Sequence, residues 1–264
     1  MAIPAVIAHG GAGPGPERNE NVKIAVREAS KILESGGSAI DAAVEACVIL
    51  EDDPAFNAGT GGVFRIDGSV LLDASIQTCD GRLGFVIAMR NTPNPIRVAA
   101  ALLDEEINGL TGQGARDWAD KRGFVNAAVD GRHPIEGIGD TVGVITRDKN
   151  GFLACATSTG GCSFRPPGRV GDVPLPGSGF WTEKGIAVAA TGNGEEITKN
   201  LLSYRVLDKF SNSSDSLQES ISWGLEEFID KSISVGLIAL SDTGEGVGFA
   251  NTDMPWATWT GTQR

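Results

Sequence analysis

Gly139-Asp140-Thr141-Val142-Gly143 sits near the middle of the 264-residue chain, between two segments of different character. Before it lies a polar, Gly-containing connector, Asn126-Ala127-Ala128-Val129-Asp130-Gly131-Arg132-His133-Pro134. After it come an apolar run, Val142 to Ile145, a turn at Asp148-Lys149-Asn150-Gly151, and a second apolar run, Phe152 to Ala156. Asn-Gly between two apolar runs predicts a β-hairpin, with Thr141 as the first residue of its buried first strand. A β-branched residue often opens a strand for packing reasons alone. Here the connector reads as exposed and abuts a buried strand directly, which suits self-cleavage between Asp140 and Thr141. The amine released on Thr141 then serves as the base for its own hydroxyl.

Histidine usage favours that chemistry. Only His9 and His133 occur in the chain, so a histidine base or a histidine-rich metal site has little to draw on. An α-amine has a pKa of about 7.7–8.0 and accepts a proton near neutrality, whereas the same nitrogen within the chain is an amide and cannot. Cleavage is therefore a requirement of the mechanism. His9, beside three glycines, is read as structural or processing-related, and His133 as exposed.

The bulk composition narrows the function class. Net charge is -12, with lysine and arginine scattered, which argues against nucleic acid and anionic membrane surfaces as partners. A 41% hydrophobic and 21% charged composition is that of a globular protein. No apolar run approaches the roughly 20 residues of a membrane helix. The N-terminal stretch has no basic start and turns Gly-rich early, so a cytoplasmic protein is expected. Cys47, Cys79, Cys155 and Cys162 contain no CxxC pair and read as small core residues.

Periodicity places strands at 2–8, 63–66, 69–72, 82–89, 185–190, 235–240 and 246–249. Helices are placed at 19–34, 42–50, 96–107, 115–122, 195–210 and 216–231. Helices flank strands in the first half, and strands precede helices in the second. With no domain linker in view, this α+β order predicts one domain, 1–264, of two sheets sandwiched between helix layers.

Several Gly-bounded polar motifs then fall into register. Asp140-Thr141-Val142-Gly143 is followed by Ala156-Thr157-Ser158-Thr159-Gly160-Gly161, Gly168-Arg169-Val170-Gly171-Asp172 and Ala190-Thr191-Gly192-Asn193-Gly194-Glu195. His9-Gly10-Gly11-Ala12-Gly13 and Leu50-Glu51-Asp52-Asp53-Pro54-Ala55-Phe56-Asn57-Ala58-Gly59 precede it. Together they resemble the N-terminal-nucleophile hydrolases of the plant-type asparaginase / isoaspartyl aminopeptidase family, to which glycosylasparaginase belongs.

The resemblance implies a four-layer αββα sandwich, cut into an alpha subunit, 1–140, and a beta subunit, 141–264, that assemble as a homodimer of cleaved pairs. It implies Thr141 as nucleophile, oriented by Thr159 and Asn57. Arg169 would hold the substrate α-carboxylate and Asp172 its α-ammonium, with Gly194 beside them. Thr191 and Gly192 would form the oxyanion hole. No cofactor is implied for the chemistry, but a structural sodium ion is, wrapped by backbone carbonyls of Leu50, Glu51, Asp53, Phe56, Ala58 and Thr60. The implied substrates are small: asparagine or β-aspartyl dipeptides, hydrolysed to release aspartate.

Departures from the family pattern keep other readings in view. Asp140 resembles the glycosylasparaginase side, and Cys162-Ser163-Phe164-Arg165-Pro166-Pro167 diverges where the leaving group would lie. A glycosylasparaginase and a taspase-like endopeptidase are the alternatives within the enzyme class. An uncleaved amino-acid-binding protein, using Arg169 and Asp172 alone, is the alternative outside it.

Overall fold

Runs of alanine, valine and isoleucine flanked by glycine build two sheets in a computed structural model of the chain, which describes residues 2–13, 16–133 and 141–262. Strand β1 (Ala5–His9) is buried throughout. Helix α1 (Asn19–Glu34) has Val22, Ala25, Val26, Ala29 and Leu33 inside, the spacing of one helical face. Helix α2 (Ala39–Asp52) is capped by Ser38, whose side chain accepts from the Asp41 N–H, and most of its surface is buried. Strands β2 (Leu72–Thr78) and β3 (Leu83–Met89) follow. Helix α3 (Pro95–Ala101) continues into a 3-10 turn, and β4 (Gly109–Thr111) leads into α4 (Gly112–Lys121).

The hairpin of β5 (Val142–Arg147) and β6 (Leu153–Thr159) forms as expected, with Val142 opposite Ser158. β7 (Phe180–Glu183) and β8 (Ile186–Gly192) precede α5 (Gly194–Asn200), α6 (Leu202–Asn212) and α7 (Leu217–Phe228). The chain closes with β9 (Val235–Ser241), β10 (Gly246–Ala250) and β11 (Trp256–Thr260).

The larger sheet has seven strands in the order β11-β1-β5-β6-β2-β3-β4, and the smaller has four, β10-β9-β8-β7. All pairings are antiparallel except that of β3 with β4. Helices α1 and α2 pack on the larger sheet, and α6 and α7 on the smaller. Between the sheets, Ala5, Ile7, Ile145, Leu153 and Cys155 meet Phe180, Ala187, Ala189, Ile238 and Leu240. The protein is thus a mixed α and β fold with two packed sheets. Among the described residues no helix is long and apolar enough to cross a membrane.

Three local expectations need correction. The hairpin placed at 63–72 reduces to a single bridge, Phe64 to Val70, because Phe64 donates its N–H to Arg132 and residue 63 also bridges residue 132. The true strand, β2, begins at Leu72 and is buried along its whole length. Its alternating polar residues are paired internally: Ser75 with Thr157 and the Val173 carbonyl, and Gln77 with the Thr182 N–H. The strand expected over the apolar run 152–156 extends through Thr159 as β6. The helix expected over 195–210 breaks at Leu201, which has φ +46°.

Candidate active site

Thr141 stands immediately before β5, next to Val142–Ser158, the end pair of the β5–β6 ladder. It is 6% exposed, and its hydroxyl donates to Thr159 Oγ1 at 3.2 Å. Thr159 Oγ1 also accepts the Gly161 N–H at 3.0 Å. Asn57 locks the loop that carries these groups. Its Oδ1 accepts from the Val63 N–H at 2.9 Å, its Nδ2 donates to the Gly161 carbonyl, and its own carbonyl accepts from the Gly160 N–H. Asn57 thus acts on Thr141 through the placement of Thr159 and Gly161.

At the end of β8, Thr191 Oγ1 accepts the Ala12 N–H at 3.3 Å, which leaves its own proton available to another acceptor. Gly192 has φ +126°, and a Cβ there would strike the Ser234 carbonyl. Only glycine meets both demands. Gly192 lines the cavity that holds Thr141, whereas Thr191 is fully buried beside it and is not part of the lining.

Arg169 and Asp172 do not pair with each other. The Arg169 side chain is 10% exposed and grips Glu195 in a two-point fork, Nε to Oε1 at 3.0 Å and Nη2 to Oε2 at 2.8 Å. This geometry suits a planar guanidinium and a carboxylate. Asp172 is buried, its Oδ2 meets no donor, and burial pushes its pKa up to about 7 against the pull of Arg169. A Cβ at Gly194 would come within 2.6 Å of Asp172 Oδ1 and 2.8 Å of Arg169 Nη2, so glycine keeps both charged groups in place.

Thr141, Thr159, Asn57, Arg169, Asp172 and Gly192 all line one cavity, together with Gly161, Cys162 and Gly171. Its free volume is about 10 Å³, about the space of one water. Two roomier cavities of about 240 Å³ lie elsewhere and carry none of these residues. Chemistry, not volume, marks the small one as the site. Asp140 lies outside the described residues.

A profile of the Asparaginase family matches residues 2–131 and 130–264. The chain belongs to the asparaginase family. An isoaspartyl peptidase/L-asparaginase of Bos taurus is 37% identical over 286 residues, covering 96% of this chain and 92% of the relative. One of Danio rerio is 40% identical, over 78% of this chain and 75% of the relative. A plant-type L-asparaginase of Pyrobaculum calidifontis is 37% identical, over 80% and 81%.

Four buried polar residues around this asparaginase-family site went unread in the sequence or were read differently. Asp73 lies opposite Thr159 in the β2–β6 register, and its Oδ1 accepts from the N–H of Ala88, a residue with φ +53°. Burial pushes its pKa up to about 6. Glu51, considered above only for its carbonyl, is fully buried. Its Oε1 accepts from Ser158 Oγ at 2.6 Å and the Ile96 N–H at 3.1 Å, and burial raises its pKa to about 8.

His9 is fully buried and its pKa falls to about 3 through desolvation, opposed by the Thr141 backbone. Its Nδ1 accepts from the Gly11 N–H, so the neutral ring carries its proton on Nε2, facing Gly143 on β5. Arg65 is the fourth. An acidic residue inside an apolar run, as in Leu71-Leu72-Asp73-Ala74, is the signal that could have found Asp73.

The 50–60 loop has features that suit a hard cation. At Gly59, φ +50°, the carbonyls of Glu51 and Pro93 converge, each 2.5 Å from where a Cβ would stand. The Asp53 and Ala58 carbonyls each accept one backbone N–H and retain a second lone pair. Among the described residues no group of three or more acidic, histidine or cysteine side chains converges there. Carbonyl oxygen is the donor type this loop offers.

Proposed function

We propose that this member of the asparaginase family is an autoprocessing amidohydrolase that uses Thr141 as an N-terminal nucleophile. It hydrolyses the side-chain amide of L-asparagine, or the isopeptide bond of β-aspartyl dipeptides, and releases L-aspartate. Its two packed sheets between helix layers are read as the αββα sandwich of N-terminal-nucleophile hydrolases. Cleavage after Asp140 yields 1–140 and 141–264, and the cleaved pairs dimerise in the cytoplasm. The observation that carries the reading is the Thr141–Thr159 hydroxyl contact in one cavity with Arg169, Asp172 and Gly192.

In the mature enzyme the Thr141 amine takes the proton from Oγ as Oγ attacks the β-carbonyl carbon. Arg169 holds the substrate α-carboxylate, displacing Glu195 from its fork, and Asp172 holds the α-ammonium. Charge developing on the carbonyl oxygen is met by the Thr191 hydroxyl and the Gly192 N–H. The C–N bond breaks as the Thr141 ammonium returns its proton to the leaving nitrogen, and a β-aspartyl ester remains. Water, deprotonated by the same amine, attacks that ester and frees aspartate and the Thr141 hydroxyl. Carbonyls of Leu50, Glu51, Asp53, Phe56, Ala58 and Thr60 would hold a sodium ion, which stiffens the loop bearing Asn57 and takes no part in bond breaking.

Intact mass of the purified, denatured protein, followed by ammonia release from asparagine, tests the proposal. Two fragments meeting at Asp140–Thr141, together with ammonia release, are expected. Thr141→Ala should abolish both, and hydrolysis that survives in that variant rules the mechanism out.

A further inference from the structure

We propose that Arg65 is a specificity-determining residue that binds a carboxylate on the leaving group, so that the preferred substrates are β-aspartyl peptides with a free α-carboxylate on the released amino acid. The inference rests on the reading of Thr141 as nucleophile. Arg65 is 3% exposed. Its Nη2 donates to the Leu71 carbonyl at 3.3 Å, whereas Nε and Nη1 meet no acceptor. Among the described residues no carboxylate lies within salt-bridge distance of it. Asp73, a nearby counter-charge, commits Oδ1 to Ala88 and leaves Oδ2 without a donor. A buried guanidinium with two idle donors is costly to the fold and is understandable as half of a contact completed by ligand.

Its position says which part of the ligand. The guanidinium packs directly behind Gly161, where a Cβ would overlap it. Gly161 and Cys162 form the wall of the Thr141 cavity that no substrate group yet occupies. Arg169 and Asp172 suit the α-groups of the aspartyl moiety, Thr191 and Gly192 the oxyanion, and Thr159 and Asn57 hold the nucleophile in place. The group left over in a β-aspartyl peptide is the leaving amino acid, whose α-carboxylate is an anion. Asparagine, whose leaving group is ammonia, has nothing to offer this wall. Arg65 and Arg169 also feel each other's charge, an unfavourable arrangement in a buried site that two substrate carboxylates relieve.

The test compares kcat/KM of the mature enzyme for β-aspartyl-alanine, its C-terminal amide and asparagine. In the wild type the acid should exceed the amide by about tenfold or more, the scale of a charge-assisted bidentate contact. Arg65→Gln should bring the acid down to the level of the amide while leaving the amide and asparagine within about twofold, and Arg65→Lys should recover part of the difference. Equal rates for acid and amide in the wild type overturn the inference, as does an equal loss on all three substrates in Arg65→Gln. If Arg65→Gln fails to fold or mature, the wild-type comparison decides alone. Asparagine turnover without acid–amide discrimination removes the role of Arg65 and leaves the amidohydrolase standing. No turnover of any of the three removes both.

Discussion

Asp172 must be ionised to hold an ammonium group, yet burial places its pKa at about 7 in the free protein. In the proposed mechanism the amine freed on Thr141, with an expected pKa of about 7.7–8.0, must be unprotonated as well. Below pH 7, kcat/KM for asparagine should therefore rise by about two log units per pH unit, one for each group. Succinamic acid, which lacks the α-amine, does not need Asp172 ionised. Its profile should rise by only about one log unit per pH unit over the same range. Identical slopes for the two substrates would remove Asp172 from ammonium binding.

His9 titrates in the opposite sense to the raised carboxylates. Its pKa is depressed from 6.5 to about 3 on folding, so between those values the unfolded chain binds the extra proton. The stability associated with neutral His9 is present above pH 6.5 and is lost as pH falls toward 3. At about 1.4 kcal/mol per unit, the wild type should lose about 2 kcal/mol more than His9→Gln between pH 7 and pH 5. Urea unfolding midpoints at the two pH values measure this difference.

At the scale of elements, one side chain ties three of them together. Glu51, near the C-terminus of α2, accepts from Ser158 on β6 and from the Ile96 N–H at the start of α3. With its pKa raised from 4.5 to about 8, the carboxyl is neutral at pH 7, and its contribution to stability declines as pH rises from 4.5 to about 8, above which both states are ionised. Glu51→Gln preserves the accepting oxygen without the ionisation. It should unfold within about 1 kcal/mol of the wild type at pH 7 and overtake it above pH 8.5 in thermal melts. Glu51→Ala strands Ser158 and the Ile96 N–H, and should lose about 1–3 kcal/mol at either pH.

The sheet order decides what the proposed self-cleavage would do to the whole molecule. In β11-β1-β5-β6-β2-β3-β4, strand β1 from the first segment lies between β11 and β5 from the second, and β6 pairs with β2 across the same division. Residues 1–140 and 141–264 therefore share one interleaved sheet. Separating them breaks three strand pairings and opens a core that both line. The cleaved protein should elute as one species in native size exclusion and resolve into two only in denaturant. Native dissociation would contradict the topology.

The residue order of 264 positions, read alone, placed the β5–β6 hairpin with Thr141 at its start, α1, and the family motifs in which Thr159, Arg169, Asp172, Thr191 and Gly192 stand. Those signals are local: turn chemistry, apolar period and glycine spacing are written in neighbouring residues. Strand β2 was misplaced because its polar side chains are satisfied by partners about 80 to 105 residues away, and no short window records that pairing. β11 was missed for a similar reason, since its inner and outer positions alternate weakly and its partner, β1, lies at the far end of the chain. Only the tertiary structure joined Arg169 to Glu195, buried Glu51, Asp73 and Arg65 near Thr141, and left Arg65 with idle donors behind Gly161. Burial and long-range pairing set those charges and pKa values, and both are properties of the packed chain.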